Sequence, residues 1–291
     1  MTDGVFVVDK PAGCTSHTVV ARLRKQLGTR AIGHAGTLDP MATGVLLLLV
    51  GEGTKLSPYL TLETKAYRAE VLFGRTTDTL DIDGRVTEQC PLPPKVLAPA
   101  HVEAALAAER ERSEQVPPAV SAIQVGGVRA HRLARRGEAP DLPPRPVRVL
   151  DLRLLATHAD RIELEVRATK GYYVRSLARD LGSRLGVPAC LSALRRTESG
   201  AFTLAEATPW PVPDGTDPLS LAAAARRCLP TASLTPEGAQ KARLGQALLD
   251  GHFLSPPQGE GPHAWFDGES LVAVGAWRGE AYRVQRGFGP R

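Results

Sequence analysis

The chain has 291 residues, 43% hydrophobic and 23% charged, which is the balance of a globular protein with a real core and excludes a disordered or fibrous chain. Its 36 Lys and Arg against 31 Asp and Glu leave a net charge of +5, which suits a polyanionic partner without identifying one. The longest apolar run, residues 45–50, falls far short of the roughly 18 residues needed to span a bilayer.

The opening MTDGVFVVDK is acidic where a signal peptide is basic, so no membrane association is expected and the chain is read as cytoplasmic. The four cysteines, Cys14, Cys90, Cys190 and Cys228, are scattered without CxxC spacing, which argues against a structural metal. In chain order, Val5 to Val8 form a short strand stopped by Asp9-Lys10-Pro11. Thr15 and Ser16 are N-cap types ahead of a helix striped with Val19, Val20, Leu23 and Leu27 and closed by Gly28. A loop broken by Gly33, Gly36 and Pro40 leads into the strand at 45–50.

Residues 66–73 alternate, with Tyr67, Ala69, Val71 and Phe73 on one face and Arg68 and Glu70 on the other, as in a half-buried strand. The stretch 76–84, carrying Asp78, Asp81 and Asp83, reads as a loop of turn and cap residues; it lacks the closing Glu of a calcium loop. A proline-rich connection over 90–99 precedes a helix around 102–112, and two alternating strands follow at 147–154 and 161–168. The next helix has Val174, Leu177, Ala178, Leu181 and Leu185 on one stripe, with Arg175 and Arg179 on a neighbouring polar face, and ends at Gly186.

Proline-rich 209–218 reads as a surface connection, followed by an alanine-rich helix at about 219–228. From about Leu234 a smaller unit begins, with a helix at 236–244 and short strands at 263–266, 271–277 and 282–285. Strands and helices mixed without a regular βαβ rhythm indicate an α+β fold. No GxGxxG or P-loop run occurs, so no nucleotide cofactor is expected.

The most informative segment is Gly33-His34-Ala35-Gly36-Thr37-Leu38-Asp39-Pro40-Met41-Ala42-Thr43-Gly44. Its glycines and proline fix a tight backbone path just before a buried strand and display a His and an Asp on it, which is how active-site loops are commonly built. A plain turn with Asp39 capping a neighbouring backbone fits the same spacing.

This segment resembles the catalytic motif of the pseudouridine synthases, specifically the bacterial tRNA pseudouridine-55 synthase family. Further segments resemble that family in the same order: Gly4 to Pro11, Lys65-Ala66-Tyr67-Arg68-Ala69, Thr77 to Gly84, Lys170 to Leu177, and Leu194-Arg195-Arg196-Thr197. The resemblance runs from residue 4 to about 202. It implies a pseudouridine synthase fold, a mixed and largely antiparallel sheet flanked by helices, over residues 1–230. It also implies a reaction without a cofactor or metal: cleavage of N1–C1′, rotation of the uracil and formation of C5–C1′ in the T-arm of tRNA.

By the same resemblance Asp39 is the essential aspartate, Tyr67 stacks on the target base and Arg175 pairs with Asp39. His34 helps keep the RNA loop open, while Lys10, Tyr173 and Leu194 line the pocket. Whether Asp39 attacks C1′ or removes the 2′ proton stays open. Three departures stand out: Val120, where the family usually has an aromatic, Gln124 for a lysine and His131 for a tyrosine.

Residues 231–291 resemble more weakly the small β-rich PUA-like domain of this family, with Arg278, Arg283, Arg286 and Arg291 suited to phosphate. The resemblance implies a monomer without an obligatory protein partner. A partner-dependent synthase, a tRNA-folding factor and a glycoside-bond hydrolase are the competing readings. Residual tRNA refolding by Asp39→Asn, or release of free uracil, would separate the last two.

Overall fold

The computed structural model describes residues 3–121, 123–138 and 142–289, without the side chains of Val125, Arg129, His131, Ala134 and Arg135. The His131 side chain and Arg291, both singled out in the sequence, therefore lie outside the described residues.

The first elements are β1 (Gly4–Lys10), α1 (Ser16–Leu27), β2 (Ile32–Ala35), β3 (Thr43–Val50), α2 (Ser57–Leu62), β4 (Lys65–Phe73), β5 (Arg75–Thr77) and β6 (Val86–Gln89). Next come α3 (Pro99–Arg110), β7 (Glu114–Gln115), β8 (Gln124–Val125), β9 (Val128–Arg129), α4 (Ala130–Arg135) and β10 (Arg145–Pro146). After these are β11 (Val149–Thr157), β12 (Arg161–Ala168), α5 (Val174–Leu185), β13 (Ala189–Ser199), β14 (Phe202–Thr203) and β15 (Thr208–Pro209). The chain closes with α6 (Leu221–Cys228), β16 (Thr231–Leu234), α7 (Pro236–Arg243), β17 (Phe253–Ser255), β18 (His263–Asp267), β19 (Ser270–Trp277) and β20 (Tyr282–Gly287).

Among the described residues the main sheet has nine strands, in the order β11-β12-β4-β13-β3-β1-β15, with β2 added to β3 and β14 to β13. It is mixed and largely antiparallel; the parallel pairs are β13–β3 and β1–β15. Helices cover it, so the fold is α+β. Every residue of β3 from Gly44 to Val50 is buried, because both faces of the sheet are packed. Leu46, Leu48 and Val50 join Val19 and Leu23 of α1 and Leu177 of α5 in one core. Val45, Leu47 and Leu49 join Val5, Leu60, Phe202 and Ala224 in a second core on the opposite face.

Several sequence expectations change in the folded chain. Residues 32–35, read as loop, form β2, because antiparallel pairing from Ile32↔Val50 to Ala35↔Leu47 supplies the ladder that two small residues could not announce. Of the stretch 76–84, Thr76 and Thr77 belong to β5, while 78–84 form the expected loop, closing the β5–β6 hairpin. The proline-rich connection contributes β15 beside β1, and Val212 within it is 4% exposed in the first core.

A second sheet, β17-β16-β18-β19-β20, occupies the C-terminal part. Trp265, Phe253 and Tyr282 pack edge to face in a core of its own, with Trp265–Phe253 centroids 5.4 Å apart. Phe266, Val274 and Phe288 instead join the second core of the main sheet, and the Arg226 guanidinium of α6 lies 3.9 Å over the Phe266 ring. Among the described residues no helix is long and apolar enough to cross a membrane.

Candidate active site

Asp39 sits in the connection between β2 and β3, and buried polar groups from three distant segments hold that connection. Ser16, at the start of α1, donates to the Leu38 carbonyl at 3.2 Å and accepts from the Leu38 N–H at 2.9 Å, gripping the residue before Asp39. Lys10, fully buried, donates to the carbonyls of Pro11 at 2.8 Å, Cys14 at 2.7 Å and Pro40 at 3.3 Å. Burial pushes the Lys10 pKa below its ordinary value, and the nearby Cys14 and Asp39 oppose that shift.

Arg196, 1% exposed on β13, donates to the carbonyls of Val45 at 2.7 Å, Gly36 at 3.0 Å and Thr37 at 3.4 Å. Its own backbone presses on the other end of the loop: a Cβ on Gly44 would lie 2.1 Å from the Arg196 carbonyl oxygen, and Gly44 has φ 102°. Glycine is required there on both counts.

Arg175, in the first turn of α5, meets Asp39 side-on. Its Nε donates to Oδ2 at 2.9 Å and its Nη2 to Oδ1 at 3.0 Å, while Nη1 donates to the Thr79 carbonyl at 2.8 Å. Such a fork fixes the plane of the carboxylate as well as its charge. The Arg175 side chain is 5% exposed and that of Asp39 29%, so the cation lies behind and the carboxylate keeps an open edge. The helical stripe puts Arg175 and Arg179 on a polar face; tertiary packing buries Arg175 and leaves Arg179 partly exposed.

A second carboxylate completes this cluster and was missed by the sequence reading, which took Asp81 for a turn and cap residue. Asp81 does cap, accepting from Thr79 Oγ1 at 2.6 Å and from the Asp83 N–H at 3.2 Å. It is also 4% exposed, with Oδ2 3.7 Å from Arg175 Nε. Burial raises its pKa, against the Thr79 hydrogen bond and the Arg175 charge, which lower it. Three aspartates in one loop was the available signal, but nothing in their spacing says which one turns inward. Arg196 likewise stands in a short motif whose spacing carries no sign that its side chain anchors the Asp39 loop.

Tyr173 occupies the N-cap position of α5, and burial raises its hydroxyl pKa, against the charges of Arg175 and Arg145, which lower it. Tyr67 and Leu194 lie on the adjacent strands β4 and β13, in the registers Arg196↔Tyr67 and Leu194↔Ala69, and both contact the first core. His34, on β2 opposite Leu48, is half-buried, and its Nδ1 has no hydrogen-bond partner among the described residues. Burial lowers its pKa, helped by Arg196 and His17. Of the departures, Val120 is half-buried and Gln124 is exposed on β8. No group of three or more His, Cys, Asp or Glu among the described residues is placed to hold a metal ion.

This arrangement offers a carboxylate held by its backbone and by a guanidinium, with one edge free to act as nucleophile or base. The chain as a whole is similar to known proteins. Residues 24–174 match the family model described as TruB family pseudouridylate synthase (N terminal domain). The protein named tRNA pseudouridine synthase B of Synechococcus sp. (strain WH7803) is 49% identical over 72% of this chain and 69% of its own length. Proteins of the same name from Opitutus terrae and Mycobacteroides abscessus are 44% and 42% identical, covering 80% and 92% of this chain and 95% and 90% of theirs. Among solved structures, a Cbf5-Nop10-Gar1 complex superposes with TM-score 0.76 at 24% identity, over 99% of this chain and 85% of that one, a likeness of fold.

Proposed function

The chain belongs to the TruB family of pseudouridylate synthases, and from that premise we propose that it converts the T-loop uridine of tRNA to pseudouridine with Asp39 as the catalytic carboxylate. The observation that carries this reading is the side-on Asp39–Arg175 pair, buried on the arginine side and open on the carboxylate side. The same protein name, tRNA pseudouridine synthase B, in the three bacterial relatives supports tRNA as the substrate.

In this reaction the uridine leaves its stack, with Tyr67 as the flat surface that receives it. Asp39 either attacks C1′ or takes the 2′ proton; in each case N1–C1′ breaks and the freed uracil turns to present C5. C5–C1′ then forms, either as the Asp39–C1′ bond breaks or as C2′ takes its proton back from Asp39; the proton on C5 is lost and N1 gains one, so the product is an isomer and no oxidant or reductant enters. Arg175, bonded to both carboxylate oxygens, fixes the plane in which Asp39 meets the sugar. Lys10, Tyr173, Leu194 and His34 shape the cavity and the approach of the RNA. Asp81 joins this group as the second carboxylate on Arg175.

We assign residues 1–230 to the synthase domain and residues 231–291 to a PUA-like RNA-binding domain, in a monomer that works in the cytoplasm without an obligatory protein partner. The test is to incubate the protein with unmodified tRNA and map pseudouridine chemically. A T-loop without pseudouridine would sink the reading. Asp39→Ala is expected to lower the rate by about 10³-fold or more, the scale for losing a group acting only in the transition state; equal rates would remove Asp39 from the chemistry.

A further inference from the structure

Contacts on both sides of Arg175 fasten α5 and the two residues before it to the end of α3 and the short segment that follows. Tyr172 donates its hydroxyl to Glu109 at 3.0 Å, and that fully buried carboxylate also pairs with Arg112 at 2.6 Å. Gln115 grips the backbone of Tyr173 from both sides: Oε1 accepts from the Tyr173 N–H at 2.8 Å, and Nε2 donates to the Tyr173 carbonyl at 3.2 Å. Ser176 Oγ and Arg179 Nη2 both donate to the Val116 carbonyl, at 2.9 and 3.0 Å.

The grip of Gln115 answers a need of the helix. The first turn of a helix carries N–H groups without partners inside it, and α5 has no side-chain cap of its own. Gln115, 2% exposed, supplies the missing acceptor from a different segment. Gln115 is also paired with Arg145 of β10, so the two ends of the stretch 116–144 close on the residue that holds α5.

We propose that Gln115 is a positioning residue for catalysis, whose two-way hold on Tyr173 sets the direction from which the Arg175 guanidinium meets Asp39. This rests on the reading of Asp39 and Arg175 as the catalytic pair. A fork that must match both carboxylate oxygens tolerates little displacement, and a misplacement of about 1 Å in a reacting constellation can cost on the order of a hundredfold in rate.

Gln115→Met keeps the side-chain length and removes both hydrogen bonds; Gln115→Glu, when ionised, keeps only the acceptor. Single-turnover pseudouridine formation would be measured over a range of tRNA concentrations, at a temperature where circular dichroism shows the proteins folded. The Nε–H resonance of Arg175 would be followed in parallel by NMR, assigned with Arg175→Lys. The expected result is a rate at saturating tRNA about tenfold or more lower in Gln115→Met and less reduced in Gln115→Glu, half-saturation within about twofold of the parent, and a displaced Arg175 resonance.

A saturating rate within about twofold of the parent, a loss confined to half-saturation, or an unmoved Arg175 resonance would each overturn the proposal. If Gln115→Met does not fold, Gln115→Glu is judged by the same criteria. A parent protein that makes no pseudouridine would defeat the functional reading instead, and the resonance would still decide the role of Gln115.

Discussion

Around Asp39 the structure is held by buried cations and hydroxyls aimed at backbone carbonyls: Arg196 on Gly36, Thr37 and Val45, Lys10 on Pro11, Cys14 and Pro40, Ser16 on Leu38. The C-terminal sheet is held by apolar area instead, with Trp265 at its centre against Phe253 and Tyr282 and the far face packed onto the main sheet. The difference teaches what each region needs. Hydrogen bonds are directional and fix a backbone path to a few tenths of an ångström, at the cost of burying charge. Apolar packing is non-directional and gives a platform its stability, with less control over any one side chain.

Removing the centre of the apolar region is the largest of three ways to break that contrast. Trp265 is fully buried, and its ring lies so close to Gly275 that a Cβ there would come within 2.2 Å of it. Trp265→Ala is expected to cost about 3–5 kcal/mol, the range for truncating a large buried aromatic. Hydrogen exchange should show β16, β18, β19 and β20 losing protection while β3 and β13 retain theirs. Uniform loss across both sheets would show that the shared core makes them one cooperative unit.

Arg196→Met attacks the polar region. It leaves the carbonyls of Gly36, Thr37 and Val45 without that donor, at an expected cost of about 3 kcal/mol in a chemical-denaturation midpoint. Activity should fall further than stability does, because the Asp39 loop loses its path. Full activity in the folded variant would show that Ser16 and Lys10 suffice.

The smallest effect is read from pH. Lys65, 8% exposed, caps α2 by donating to the carbonyls of Leu60, Thr61 and Glu63, and burial, with Arg196 beside it, lowers its pKa from 10.5 to about 8. Between those two values the unfolded chain holds a proton that the folded chain has released, so this group adds stability as pH rises from about 8 towards 10.5. Wild type should therefore gain on Lys65→Met by at most about 1.4 kcal/mol per pH unit. Parallel pH profiles of the two proteins would mean that Lys65 titrates as in water.

Much of the fold was legible where burial is one-sided or continuous. The alternation of residues 66–73 and 161–168 gave β4 and β12, and the unbroken run at 45–50 gave a strand buried on both faces. β13 was not legible as a strand, because Arg195 and Arg196 sit in its middle and hydrophobic periodicity has no way to register an arginine buried for its hydrogen bonds. β2 was hidden for a related reason: Gly33 and Ala35 carry little strand preference, and only β3 alongside makes them one.

By itself the sequence determined the composition of the core, the α+β class and the ordered motifs that mark Asp39, Tyr67 and Arg175. It could do so because apolar periodicity and short motifs are local properties of the chain. Only the tertiary structure decided that Asp39 meets Arg175 through both carboxylate oxygens, across 136 positions of sequence. It also decided that Asp81 shares that arginine, that Arg196 holds the loop and that Gln115 holds the helix. Each of those is a directional contact between segments far apart in sequence, and its geometry exists only once the sheet has brought them together.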